Sequence, residues 1–353
     1  MRILIDLFHP AHIHLFRHAA AILEGKGHEI RWVVHDKDIL VQLLERYGFA
    51  YKVVSRAKSG RLGLCGELIK HDWGLYRICR EFRPHLMLGT SLSICHVSRV
   101  TSAKSIVFLE DDADMVKLYY ALGYNFAHAI CTPRCVRHKP RKNHLLYDGY
   151  HELAYLHPNH FRPDHTVLHE LGLDKEDRFF LIRLVALQAV HDAGHAGLSV
   201  DMCRRVISTL RQYGNVFLNA EMPLPRELQA YQIRIAPERI HDVLAFATMF
   251  VGDSQTMTIE AAVLGTPAIR CNTFVGRLSV LEELEHKYGL TYGFLPEDHE
   301  RMFARIEDLL ARGDLKQEWQ GRRDRMLADK VDVAAWIVDL VEKYAANPQS
   351  VVE

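Results

Sequence analysis

Glu260 stands seven residues before Pro267, in Glu-Ala-Ala-Val-Leu-Gly-Thr-Pro, behind a short apolar strand and a small polar turn. The stretch reads as a buried strand over Met249–Val251, a turn, a helix, and a second strand from Pro267. Asp253 or Ser254 is placed to cap the helix, which leaves the amides of Gln255 to Thr258 without intrahelical partners. With the hydroxyls of Ser254, Thr256 and Thr258 beside them, those amides form an anion site. Glu260 falls about one and a half turns inside the helix, and Gly265-Thr-Pro267 stops it. The plainer reading is an ordinary capped helix in a parallel sheet.

Other stretches carry chemistry at strand ends. The first strand runs into Asp6-Leu-Phe-His9-Pro-Ala-His12-Ile-His14, a histidine-rich loop. No thiolate or HExxH-type spacing accompanies it, so a metal is not expected and capping histidines are the plain alternative. His12 or His14 suits a general base, because imidazole titrates near neutrality. Glu110-Asp-Asp-Ala-Asp114 puts four carboxylates in five positions, where mutual repulsion raises some pKa values. Asp111 is the candidate for proton transfer there, against a solvated turn that caps the next helix. Asp112 and Asp114 offer an Asp-x-Asp metal reading that is not favoured.

Cys131 and Cys135 imitate half of a zinc knuckle whose second half is missing. The basic run Arg134, Arg137, His138, Lys139, Arg141 and Lys142 is a solvated loop or a face for an anionic acceptor such as a lipid phosphate or acidic glycan. Arg183 ends a strand and suits bidentate phosphate contact, with His191-Asp192 in the polar loop beyond it.

The elements that must position these groups alternate. Residues 1–160 read as strands at Ile3–Asp6, Glu29–Val34, Tyr51–Val54, Leu86–Leu88, Ser105–Leu109 and Ala129–Cys131, with helices between, the first over Leu15–Glu24. The polar segment His157–Asp164 reads as a linker. Strands at Phe179–Ile182, Val216–Leu218, Met249–Val251 and Ala268–Arg270 repeat the plan over 165–330, and helical stretches at 298–311 and 315–345 end the chain. Such alternation predicts an α/β protein of two Rossmann-like doubly wound domains, with ligands beyond the carboxyl ends of the strands.

A length of 353 residues suits two domains. Lys+Arg and Asp+Glu both total 44, which removes the basic surplus expected of a nucleic-acid binder. Neither a signal peptide nor a membrane-spanning run is evident, and seven scattered cysteines fit reduced thiols in the cytoplasm.

The segment from Val251 to Arg270 resembles the nucleotide-sugar site of GT-B enzymes, as in the GlcNAc transferase of peptidoglycan synthesis and the non-hydrolysing UDP-GlcNAc 2-epimerases. The N-terminal signature with Gly25-x-Gly-His28, together with Gly149–Leu156 and Leu181-Ile-Arg183, resembles a family of short GT-B-like proteins, domain-of-unknown-function family 354, with members assigned to surface-polysaccharide synthesis. The resemblance implies two domains facing a cleft, and a terminal helix at 331–353 crossing back to the first. It implies that Ser254, Gln255 and Thr256 hold phosphate and Glu260 holds ribose, with Arg183 and His191 beside the donor. A strand-end acid serves proton transfer in the 2-epimerases, although their His-Val-Glu-Ala-Gly wording is absent here. The expected activity is a metal-independent glycosyltransferase without a resident cofactor. Its expected donor is a nucleotide-sugar, UDP-linked by preference, and its acceptor a glycan, lipid-linked or small molecule, with room for peripheral membrane contact. A 2-epimerase or a non-catalytic nucleotide-sugar-binding protein are the alternatives.

Overall fold

The computed structural model describes residues 1–36, 39–56, 63–138, 140–185 and 197–347. The chain divides into unit 1, Met1–His160 with Val331–Glu353, and unit 2, Phe161–Lys330.

Unit 1 runs β1 (Arg2–Leu7), α1 (Pro10–Gly25), β2 (Glu29–Asp36), α2 (Leu40–Arg46), β3 (Tyr51–Arg56), α3 (Gly63–Phe82), β4 (Leu86–Gly89), α4 (Leu92–Ser98), β5 (Lys104–Phe108), α5 (Lys117–Leu122), β6 (Ala129–Pro133), β7 (His144–Tyr147) and α6 (Leu153–Leu156). Its seven strands are parallel in the order β3-β2-β1-β4-β5-β6-β7. Ile3, Leu4, Ile5, Asp6 and Leu7 are all buried, the continuous burial expected where helices cover both faces of a parallel sheet. On one face Leu4, Val33, Met87, Val107 and Ile130 meet Leu75, Ile78, Cys79 and Phe82 of α3. On the other, Phe16 of α1 packs edge-on against Phe108, ring centroids 5.2 Å apart.

Unit 2 runs α7 (Thr166–Glu170), β8 (Phe179–Leu184), α8 (Val200–Leu210), β9 (Asn215–Ala220), α9 (Ile240–Phe246), β10 (Met249–Gly252), α10 (Gln255–Leu264), β11 (Ala268–Cys271), α11 (Ser279–His286), β12 (Thr291–Phe294), α12 (His299–Leu310) and α13 (Leu315–Asp329). Its five parallel strands lie in the order β12-β11-β10-β8-β9. The last helix, α14 (Val333–Ala346), belongs to unit 1, where Glu342 receives His28 at 2.6 Å and Lys26 at 3.5 Å.

The α/β reading with two parallel sheets is borne out, but three extents differ. Helix α1 starts at Pro10 rather than Leu15: proline is suited to the first helical turn, and the His9 ring caps it by accepting from the Ala11 amide at 3.2 Å. The stretch 315–345 is two helices, broken at Lys330 where Asp332 caps α14 through the Ala335 amide. The edge strands β7 and β12 join the sheets beyond those read from the sequence. Among the described residues no helix is long and apolar enough to cross a membrane.

Candidate functional site

Strand order reverses between β1 and β4 in unit 1 and between β8 and β10 in unit 2, and these switch points are where doubly wound sheets take ligands. In unit 1 Asp6 of β1 pairs with Gly89 of β4. A Cβ on Gly89 would lie 2.7 Å from the Asp6 carbonyl oxygen, so only glycine allows this approach. In unit 2 Arg183 of β8 pairs with Gly252 of β10, where a Cβ would meet the Arg183 carbonyl oxygen at 2.8 Å. Two residues beyond each glycine a serine caps a helix: Ser91 accepts from the Ile94 amide at 3.4 Å, and Ser254 from the Met257 amide at 3.3 Å.

At the unit 1 switch a buried polar chain begins on Asp6. Ser91 Oγ donates to one carboxylate oxygen at 2.5 Å, and His71 Nε2 lies 2.9 Å from the other. His71 Nδ1 is 2.6 Å from Ser55 Oγ, which is 2.6 Å from His35 Nδ1. Imidazole nitrogens and serine hydroxyls can each donate or accept, so the contacts make one continuous chain from Asp6 through His71 and Ser55 to His35. Phe8 stacks on His35 at 4.8 Å and leans on His71 at 4.4 Å, closing the chain from above. The sequence offered one sign of it, a lone aspartate inside an apolar strand.

His12 and His14 lie on α1 rather than in a loop, and His9 caps it. Positions two apart on a helix point about 200° from each other, so His12 and His14 separate. His12 remains at the strand end, with the Thr90 hydroxyl 3.0 Å from Nδ1 and 3.2 Å from Nε2. His14 is buried in the helical layer, its ring 5.1 Å from Tyr155 and 5.9 Å from Tyr47.

The acidic run also separates. Asp111 is exposed, whereas Asp112 is buried and accepts from the Arg137 amide at 2.7 Å, tying the loop down. Glu110 is half-buried against His151. It accepts from the His151 amide at 2.8 Å, and its other oxygen lies 3.6 Å from His151 Nδ1, with the two side chains only 18% and 15% exposed. Burial pushes the Glu110 carboxyl up to about 7 and the His151 imidazole down to about 4. A carboxyl poised near neutrality beside a neutral imidazole can accept or donate a proton at working pH. Glu110 and His151 are therefore further acid–base candidates. The sequence showed four equivalent carboxylates and no sign that the fold would tie Asp112 to the Arg137 amide and set Glu110 against His151.

In unit 2 the capped helix forms as the sequence requires. α10 begins at Gln255 behind Ser254 and ends at Gly265, whose φ of 74° provides the left-handed cap. Ser254, Gln255 and Thr256 are half-buried at its start. Asp253 accepts from the Val185 amide at 2.9 Å, and burial raises its carboxyl to about 7. Arg183 directs its fork sideways, donating to Asn219 and Glu221, while Nε has no partner among the described residues. Glu260 is buried and meets His241 Nε2 of α9 at 2.9 Å. Behind these residues, Arg270 of β11 is wholly buried, its nearest acidic oxygen 3.9 Å away on Glu282, and burial lowers its pKa to about 10. His191 lies outside the described residues. Among the described residues no group of three His, Cys, Asp or Glu is arranged to hold a metal ion.

Comparison with solved structures gives the fold its relatives. A UDP-N-acetylglucosamine 2-epimerase is similar with a TM-score of 0.67 at 12% identity, covering 99% of this chain and 98% of its own. MnaA of S. aureus, solved with UDP, gives 0.67 at 12% identity over 98% and 97% of the two chains. The glycosyltransferase VinC, solved with dTDP, gives 0.63 at 14% over 97% and 99%. These likenesses establish a GT-B-like fold. Comparison with curated proteins finds no match. A model of a family described as protein of unknown function, DUF354, matches residues 1–284, and the chain belongs to that family.

Proposed function

We propose that the protein is a nucleotide-sugar-dependent glycosyltransferase in which unit 2 holds the donor and unit 1 handles the proton. The carrying observation is the switch point of unit 2, where Arg183 stands opposite Gly252 at the start of a ten-residue helix capped by Ser254. Free amides at Gln255 and Thr256, the helix dipole and a guanidinium suit a diphosphate, and they become more valuable as the leaving group gains charge. A UDP-linked donor is preferred. Glu260 takes the ribose by releasing part of its hold on His241, and Arg183 turns from Glu221 toward phosphate.

A second reading, a nucleotide-sugar 2-epimerase, draws support from Glu110 and His151, since epimerisation needs proton removal at carbon by a base of near-neutral pKa. A thermal-shift screen against UDP-, GDP-, CMP- and dTDP-sugars, followed by NMR with and without an acceptor, tests both. Turnover only with acceptor supports the transferase, and epimerisation without acceptor selects the second reading. Stabilisation by none of the nucleotide-sugars would sink both. The proposal invokes no divalent ion, so activity lost to EDTA and restored by Mg²⁺ or Mn²⁺ would overturn that part.

A further inference from the structure

We propose that α3, α5 and the basic loop before β7 form a docking surface for an anionic lipid bilayer. Helix α5, Lys-Leu-Tyr-Tyr-Ala-Leu, contains no buried residue although Leu118, Tyr119, Tyr120 and Leu122 make up most of it. Leu118 is 65% exposed, and Tyr119, Leu122 and the following Phe126 are exposed as well. On α3, Ile69 and Trp73 are 68% and 63% exposed and lie one turn apart on the same face. His96 ties the two helices together, with Nδ1 2.8 Å from Asp72 of α3 and Nε2 2.8 Å from the carbonyl oxygen of Leu122. Trp73 and the end of α5 therefore border one surface. Single exposed apolar side chains are ordinary, but a cluster of this size on one face is not.

The charges around the cluster select its occupant. Lys70, Arg77, Arg99, Lys117, Arg141 and Lys142 are exposed about it. Arg141 lies over the Tyr120 ring at 5.3 Å and Arg99 over Phe126 at 5.9 Å, so the cations are interleaved with the rings. Of the nearby acids, Asp72 is engaged by His96 and Asp114 by Arg137 at 3.6 Å, while the exposed Asp111 beside Tyr119 opposes the pattern and is outnumbered by the six cations. The chain's formal net charge is +0, so attraction to an anionic surface has to come from this local group. Tryptophan and tyrosine at headgroup level, aliphatic side chains below and lysine and arginine on phosphate are the chemistry of an interfacial site. Since α5 follows directly on Glu110–Asp114, the surface borders the proton-handling edge of unit 1 and suits an acceptor anchored in the bilayer.

The test is co-sedimentation of the full chain with phosphatidylcholine vesicles, with and without phosphatidylglycerol. Binding is expected only with phosphatidylglycerol, with a blue shift of Trp73 emission and release at high salt. The Leu118→Ser/Leu122→Ser and Arg141→Glu/Lys142→Glu pairs should each bind roughly tenfold less or weaker still. Both pairs are exposed, and an unchanged circular-dichroism melt would confirm that the fold is kept. No binding to phosphatidylglycerol vesicles, or binding by either variant equal to that of the unaltered chain, overturns the proposal. So does a dimer in light scattering that Leu118→Ser/Leu122→Ser dissociates, which would make the surface a contact between copies. Nucleotide-sugar stabilisation measured on the same variants should be unchanged, so failure here is distinguishable from failure of the proposed function.

Discussion

The two sheets solve the same geometric problem and fill it with opposite charge. Each has a switch point at which a strand-end residue faces a glycine, Asp6 opposite Gly89 in unit 1 and Arg183 opposite Gly252 in unit 2. Each glycine is followed two residues later by a capping serine. In unit 1 the acid is sealed among Ser91, His71, Ser55 and His35, and the neighbouring strand end adds Glu110 with His151. On the proposed reading, that edge handles the proton. In unit 2 the cation stands at the start of a long capped helix whose amides and dipole favour anions. A shared backbone plan thus builds the same switch point twice, while one residue there and its buried partners set the charge it presents.

The sharpest break between the halves should come from Glu110→Gln. Turnover is expected to fall roughly 10²–10⁴-fold while donor affinity in calorimetry stays unchanged. If affinity collapses instead, the proton-handling edge is not separate from the donor site. His12→Ala should behave like Glu110→Gln if it shares the acid–base work, whereas His14→Ala should chiefly lower the melting temperature, because its ring fills space between Tyr47 and Tyr155.

Glu260→Ala comes next. It takes the carboxylate away from the buried His241 ring and should cost about 1–3 kcal/mol in urea unfolding. A fully stable variant that binds nucleotide-sugar poorly would show that Glu260 works on ligand alone. On the donor side, Arg183→Ala should weaken binding by about 1.5–3 kcal/mol and also slow turnover, since phosphate is held before and during bond breaking. Equal affinity to wild type would remove Arg183 from the site. Gly89→Ala and Gly252→Ala test the shared plan itself, each with an expected loss of about 1–3 kcal/mol from overpacking.

The smallest effect concerns pH. His18, His128, His144 and His151 have folded pKa values lowered to about 4, chiefly by burial. Their contribution is complete above the unfolded value near 6.5 and is lost as pH falls toward 4. Glu110 and Asp253, raised to about 7 by burial, work the other way, favouring the fold below pH 4 and losing that contribution as pH rises through 7. With four histidines against two carboxyls, the melting temperature should fall on acidification from 6.5 to 4.5 and change little from 6.5 to 7.5, where the two sets offset each other. Glu110→Gln removes a group that gains stability as pH falls from 7 towards 4.5, so it should steepen the acid limb.

The sequence by itself determined the alternation of apolar strands with helices, and hence parallel sheets, because strand and helix periods are written in neighbouring residues. It determined the capped α10 for the same reason: Ser254 reaches the Met257 amide three positions on, and Gly265 supplies the left-handed turn. Tertiary structure decided what each member of a chemical group meets. Glu110 is set apart from Asp111 by a residue 41 positions away, and Asp6 meets His71 across 65. Glu260 pairs with a histidine on another helix, and His12 parts from His14 because α1 begins one turn earlier than its apolar period suggests. Burial and pairing shift charge only once the sheet has brought distant segments together, so no local pattern can record them.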